Sequence, residues 1–364
     1  MNERRKSGAL VLACVFCLIA LSILMVFSTT SVVSGGGGDP SILMLKKHLF
    51  QILLGLSLCW ATYRLPLETI YKLTPIALII SLVSLVAVLI PGLGTAAGGA
   101  QRWFSVGPLR IQPGELAKVS VIFYMATYIG RQHSKMKQFV KGAVIPLAFV
   151  AMFGVLLLSQ PDFGSTVIIF TVVLLQLLLV SHIKHLLALG AVGLVGVVSL
   201  ILVSPYRFRR FQSFLDPLAD ASASGYQLVQ SLIAVGSGGL FGQGLGAGKQ
   251  KLFYLPAAHT DFIYAVIAEE LGLLGAGCVL LLFCLIALSG YAAAIRLAGD
   301  PLKSSLAVGC TSLIVIPAIL NMGVVLGLLP TKGLVLPFVS YGGTAMLTNC
   351  IVLGVLMKLL RSDQ

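Results

Sequence analysis

The sequence predicts an all-α polytopic membrane protein of about ten transmembrane helices, a single integral-membrane domain over residues 1–364 with a large extracytoplasmic loop at about 204–261, between spans seven and eight. Composition is the first ground. Of 364 residues 58% are hydrophobic and only 10% charged, and the mean hydropathy is +1.01, which excludes an ordinary soluble core with a polar surface. The second is run length: Ala9–Phe27, Ile76–Ile90 and Leu186–Val203 are apolar stretches of the size that about 30 Å of hydrocarbon requires at roughly 1.5 Å of helix rise per residue. The third is the placement of Lys and Arg, which sorts the intervening loops into two sides.

Apolar runs between polar breaks place the spans near 9–28, 48–64, 73–91, 112–130, 142–158, 165–181, 186–204, 262–294, 305–328 and 341–359. The first is expected to stay in the mature protein, because no small-residue cleavage site follows it cleanly. An even number of spans puts both termini on one side. Arg4, Arg5 and Lys6 at one end, with Lys358 and Arg361 at the other, make that side the cytoplasm. Arg64, Lys72, Arg131, Lys135, Lys137, Lys141, Lys184, Arg296 and Lys303 fall on it as well. Two segments of any size remain outside, Pro91–Ile111 and Ser204–Asp261, and function is sought there.

The seven cysteines all lie in apolar runs and are odd in number, which argues against a disulfide framework. Cys14 and Cys17 form a C-x-x-C without nearby His or further Cys, so they read as small apolar residues and no metal site is assigned to them. The glycine-rich stretch Gly236–Gly248 before Lys249 is not a phosphate loop: Gln243 stands where glycine is needed and Gln250 where Ser or Thr is needed. It reads as flexible or tightly turning backbone at a membrane surface.

Basic residues on the outer side run against the orientation trend: Arg102, Arg110, Arg207, Arg209, Arg210, Lys249 and Lys251. They either meet lipid headgroups or recognise an anionic phosphate group on a membrane-borne substrate. The twelve carboxylates can be taken singly. Glu3, Asp39, Glu68, Asp300 and Asp363 read as solvated charges. Glu115 lies one helical turn from Lys118, which reads as a self-neutralising pair, a polar patch lining a cavity, or both. Asp162, Asp216, Asp220 and Asp261 are outside, with Glu269 and Glu270 deeper along the eighth span. Asp261 closes His259-Thr260-Asp261 just before a long apolar run, where spacing alone favours helix capping over chemistry.

Five segments carry more than spacing does: GAQRWFSVGPLRIQPGELAK (Gly99–Lys118), QPDFGS (Gln160–Ser165), SPYRFRRFQSFLDP with GYQLVQS (Ser204–Ser231), KLFYLPAAHTDFIYAVIAEELG (Lys251–Gly272) and GLLPTKGLVLPFVSYGG (Gly327–Gly343). In identity and order they resemble the shape, elongation, division and sporulation family of cell-wall glycan polymerases, over nearly the whole chain. Thr331-Lys332 after Leu-Leu-Pro resembles the division and sporulation branches rather than the elongation branch, so a role in cell division is expected.

The resemblance implies polymerisation of lipid II, the undecaprenyl-pyrophosphate-linked disaccharide-peptide, on the outer face of the bacterial cytoplasmic membrane, with inversion at the donor sugar. It maps the family's essential aspartate onto Asp261, its important lysine onto Lys332 and a functional pair onto Arg102 and Trp103. His259, Thr260, Glu115, Lys118, Ser340 and Tyr341 fall in the same motifs and are expected to serve the substrate site, with Arg207 and Arg210. The chemistry is coherent: a carboxylate can take the proton of the attacking 4-hydroxyl, and a pyrophosphate leaving group needs neutralising charge rather than a general acid. No cofactor is required by this scheme. A divalent cation, Mg or Mn, could share the neutralisation, though the sequence holds no closed ligand set for one. Ala257 and Phe253 stand where relatives carry acidic residues. The expected partners are lipid II, a class B penicillin-binding protein transpeptidase and other membrane proteins of division; no nucleic-acid partner is expected. A lipid II flippase and a non-enzymatic division scaffold are the competing functions.

Overall fold

The computed structural model describes residues 2–30, 40–97, 100–106, 109–203, 208, 212–217, 225–252 and 254–362. Its helices are α1 (Asn2–Thr30), α2 (Pro40–Arg64), α3 (Leu67–Ala87), α4 (Pro113–Gln132), α5 (Ile145–Ser159), α6 (Phe163–Leu178), α7 (Ile183–Val203), α8 (Tyr226–Gly238), α9 (Ile263–Arg296), α10 (Pro301–Val325) and α11 (Gly343–Arg361). Apart from α8, each coincides with one expected span. Among the described residues seven helices are long and apolar enough to cross a membrane: α1, α2, α3, α5 with its entering turn from Val140, α9, α10 and α11. The protein is therefore a helical polytopic membrane protein.

Helices α10 and α11 form the centre. α10 packs against α4, α6 and α9, and α11 against α1, α2 and α10. The periphery is apolar outward: Ile76, Ile79, Ile80 and Val83 on α3 and Leu187, Leu194 and Val195 on α7 are all exposed, as a lipid-facing surface requires. In lipid, apolar contact by itself does not hold helices together, so close approach and interhelical polar contacts matter more. A Cβ on Gly354 would overlap the Cys59 carbonyl of α2, and one on Gly290 would overlap the Thr311 hydroxyl of α10. The Gln176 amide of α6 donates to the carbonyls of Ile122 on α4 and Ser305 on α10, at 3.2 and 3.1 Å.

Two elements depart from the expected loops. Pro91–Ile111 holds a three-stranded antiparallel sheet, β1 (Thr95–Ala97), β2 (Ala100–Val106) and β3 (Leu109–Ile111), with Thr95 opposite Trp103 and Phe104 opposite Ile111. Among the described residues this small sheet is the one addition to an otherwise helical fold, where short aromatic and β-branched runs flank the Gly107-Pro108 turn signal. The expected loop 204–261 also contains α8, whose Leu228, Ser231 and Ala234 are buried. The Ser231 hydroxyl donates to the Val325 carbonyl of α10 at 2.9 Å.

Helix α9 has 34 residues, about 51 Å of rise and more than a bilayer core needs. It is interrupted at Gly272, with φ 69° and ψ −166°. The glycine-rich segment closes the gap. The amides of Gln243 and Gly244 donate to the Glu269 and Glu270 carbonyls, and those of Leu273 and Leu274 donate to the Gly239 and Leu240 carbonyls.

Candidate active site

Asp261 sits just ahead of α9 rather than at its cap. The N-cap is Phe262, and Asp261 lies in the preceding turn, half-buried. That turn is built on Ala257, at a left-handed φ of 57°. Its carbonyl accepts from the amides of Thr260, Asp261 and Phe262 at 3.1, 3.1 and 3.3 Å and from the Thr260 hydroxyl at 3.2 Å. A non-glycine residue in this region costs on the order of 1 kcal/mol, and the donors gathered on one carbonyl hold it there.

A second segment, Thr331–Tyr341, docks against this turn. The Ser340 hydroxyl donates to the Thr260 carbonyl at 2.6 Å and accepts the Leu336 amide at 2.8 Å. The Tyr341 amide donates to the His259 carbonyl at 3.0 Å, and the two rings meet edge to face at 6.0 Å. Burial lowers the His259 pKa from its ordinary value and raises that of Tyr341, so both are neutral near pH 7. Asn321, on α10, joins the segments from beneath: its Nδ2 donates to the Asp261 carbonyl at 2.7 Å and to the Leu334 carbonyl at 2.5 Å. The Asp261 carboxylate lies over Gly333, the residue after Lys332, with only 3.0 Å between Oδ2 and the place a Cβ would occupy.

Lys332 points onto aromatic carbon, with Nζ 4.1 Å from the centroid of the Phe163 ring. Burial pushes its ammonium down to about 8, while the ring face favours the charged form. Phe163 is the first residue of α6, whose N-cap Asp162 accepts from the Ser165 amide at 3.1 Å, the Ser165 hydroxyl at 2.8 Å and Gln112 Nε2 at 3.2 Å. Arg102 fastens the turn before it. Its Nε donates to the Gln160 carbonyl at 2.8 Å and its Nη2 to the Pro161 carbonyl. The structure thus places Arg102 as a clamp from β2 onto the support of Lys332. Trp103 is its half-buried neighbour on β2, paired with Thr95.

Glu115 and Lys118 form a buried ion pair on α4, Nζ to Oε1 2.7 Å, and the Thr348 hydroxyl donates to Glu115 Oε2 at 3.3 Å. They line a cavity of about 20 Å³ with Pro317, Val335 and Pro337, room for a single water. Both readings of the pair, self-neutralising and cavity-lining, hold. Through Val335 and Pro337 it abuts the Lys332 segment.

Sequence reasoning missed a second buried ionic group. Lys251, grouped there with the outer cations, is 8% exposed and pairs with Glu270 Oε1 at 2.7 Å. It also donates to the Ser28 hydroxyl at 2.8 Å and the Gly246 carbonyl at 2.6 Å. Glu270 accepts the Gly246 amide at 2.9 Å, and Glu269 accepts the Lys249 and Gln250 amides at 2.7 and 3.2 Å. The glycine-rich loop therefore wraps the protein's own carboxylates. Two adjacent glutamates in an apolar run were the available signal.

Arg207 and Arg210 lie outside the described residues, as do Asp39, Arg209, Asp220 and Phe253. Among the described residues no three His, Cys, Asp or Glu side chains gather as metal ligands.

Fold and site together define a polytopic membrane protein with a carboxylate and a lysine brought to one end of its helices. The chain belongs to the cell cycle protein family of FtsW, RodA and SpoVE, which matches residues 8–364. It is 40% identical over 360 residues to the probable peptidoglycan glycosyltransferase FtsW of Coxiella burnetii, covering 96% of this chain and 95% of that protein. Among solved structures it is similar to a chain of a peptidoglycan synthase complex that coordinates polymerization and crosslinking, with TM-score 0.79, 25% identity and 96% of each chain covered. It is also similar to the rod shape determining protein RodA of Thermus thermophilus, with TM-score 0.66, 26% identity, and 96% of this chain and 95% of that one covered.

Proposed function

We propose that this protein is a peptidoglycan glycosyltransferase of cell division, which polymerises lipid II with Asp261 as general base. The observation that carries the reading is the approach of the Asp261 carboxylate to Gly333, the residue after Lys332, whose ammonium lies over the Phe163 ring. In the reaction Asp261 takes the proton of the acceptor 4-hydroxyl as that oxygen attacks the anomeric carbon of the donor. The bond from that carbon to the pyrophosphate oxygen breaks, the electron pair leaves with undecaprenyl pyrophosphate, and the configuration inverts. Lys332, Arg210 or Arg207 neutralises the departing charge. His259, Thr260, Ser340 and Tyr341 serve by fixing the two segments against each other, and Arg102 and Trp103 by supporting α6.

The reading includes ten spans forming one integral-membrane domain of the bacterial inner membrane, with both termini cytoplasmic and the site outside. Lys and Arg placement supports it. The likeness to RodA and to a synthase chain supports a class B penicillin-binding protein as partner, within a division complex. A flippase is the second reading; the clustering of the polar motifs at one face, rather than charged positions spread through several spans, favours the enzyme.

The test is polymerisation of lipid II by purified protein, with and without a co-purified class B transpeptidase, read as glycan strands on a gel. Asp261→Asn is expected to insert, purify and bind lipid II normally while losing about 10²–10⁴ in rate. Near-normal synthesis by that variant would falsify the mechanism.

A further inference from the structure

At the end of the bundle opposite the site, the last turns of α2 and α11 open a pocket of about 630 Å³, lined by Trp60, Tyr63, Arg64, Leu67, Lys358 and Arg361. That volume is within the roughly 300–1,000 Å³ of small-molecule sites. The Arg64 guanidinium lies 5.3 Å from the Trp60 ring centroid and that of Arg361 5.5 Å from the Tyr63 ring. Arg361 also donates to the Tyr63 hydroxyl at 2.6 Å, and Lys358 to the Leu65 carbonyl. Among the described residues none of the three cations is paired with a carboxylate; Glu68, one turn further on, is exposed and does not line the pocket. The negative poles of two helix C-termini are offset by these cations. Among the described residues three cations thus converge without a carboxylate partner beside a tryptophan that is 63% exposed at the end of an apolar span.

We propose that this pocket binds the phosphate of an anionic phospholipid headgroup, with the guanidinium forks and the lysine on the phosphate oxygens and Trp60 against the glycerol and upper acyl chain. The aromatic faces hold both arginines in place before the ligand arrives, which reduces the ordering cost of binding. The shared chemistry is a phosphate, and exposed aromatic surface at the lipid boundary favours the lipid over the free ion.

The test is native mass spectrometry of delipidated full-length protein with phosphatidylglycerol, phosphatidylcholine or inorganic phosphate added. Phosphatidylglycerol should bind in preference to the other two. R64Q/K358Q/R361Q should weaken that binding about tenfold or more, each cation near a membrane surface being worth about fivefold. R131Q/K135Q/K137Q, which removes the same charge from exposed positions elsewhere, should leave it within about twofold. If the triple variant does not purify folded, Arg64→Gln alone should give about a fivefold loss. Equal losses in both triple variants, equal binding of phosphatidylcholine, or displacement of the lipid by inorganic phosphate would each overturn the proposal.

Discussion

Oδ2 of Asp261 rests against the backbone of Gly333, where a Cβ would stand 3.0 Å away. Gly333→Ala is therefore expected to push the carboxylate out of position with little change to the fold. Small displacements of a reacting group are costly, so lipid II polymerisation should fall about tenfold or more. The thermal unfolding midpoint should hold, and a midpoint that falls along with activity would assign the effect to packing.

Asn321 gives the opposite pattern. Replacing it with Ala leaves the carbonyls of Asp261 and Leu334 without their donor, a loss of about 1–3 kcal/mol for buried groups. Stability and activity should fall together, whereas Asp261→Asn should lose activity alone. Thermal unfolding measured beside the polymerisation assay separates the two.

The pH profile reports on Lys332. Its pKa in the folded protein is lowered by burial to about 8, so the charge proposed to neutralise pyrophosphate is present below that pH and lost above it. Polymerisation should decline as pH rises through about 8. The contribution of this group to stability runs the other way. Between about 8 and the unfolded lysine value of about 10.4, the unfolded chain binds more protons, so stability rises with pH. A falling rate without a falling unfolding midpoint is the expected signature. In Lys332→Arg, which stays charged, the decline should vanish.

Lys251→Met should destabilise the protein by about 3–5 kcal/mol, because it strands a buried carboxylate on Glu270. Glu270→Gln added to it should recover part of that loss, since the uncompensated charge is gone and Gly246 keeps an acceptor. A double-mutant cycle on the unfolding free energy checks this; additive losses would mean the pair is not coupled.

Orientation can be read by labelling. Lys249 and Ser134 are exposed, in segments assigned to opposite sides. With the native cysteines replaced, a membrane-impermeant thiol reagent should modify Lys249→Cys and spare Ser134→Cys in intact cells. The reverse pattern would invert the topology.

The helices were legible because each buries or exposes apolar residues in runs that no other solvent explains. The Glu115–Lys118 contact followed from helical spacing alone. The meeting of the His259–Asp261 turn with Ser340 and Tyr341 was not legible from periodicity, since about 80 residues separate them and what joins them is hydrogen bonding between irregular backbones. Resemblance named those residues without saying that they act by docking. Arg102 shows the same limit: its type suggested an anion, and its surroundings supply carbonyl oxygens. Lys251 looked like surface charge because its partner, Glu270, stands 19 residues further on, inside helix α9. Asn321 carried only the weak signal of an amide inside an apolar run.

The interruption of α9 at Gly272 also sets how the Asp261 turn is mounted. A helix break ordinarily leaves loose backbone and a place to bend. Here the amides and carbonyls on both sides of the break are spliced into Gly239–Gly244 by four hydrogen bonds, so rotation across it would have to rupture them together. Asp261 is thereby carried on a stiff bracket, and the amides of Leu273 and Leu274 should exchange with solvent as slowly as those of an unbroken helix.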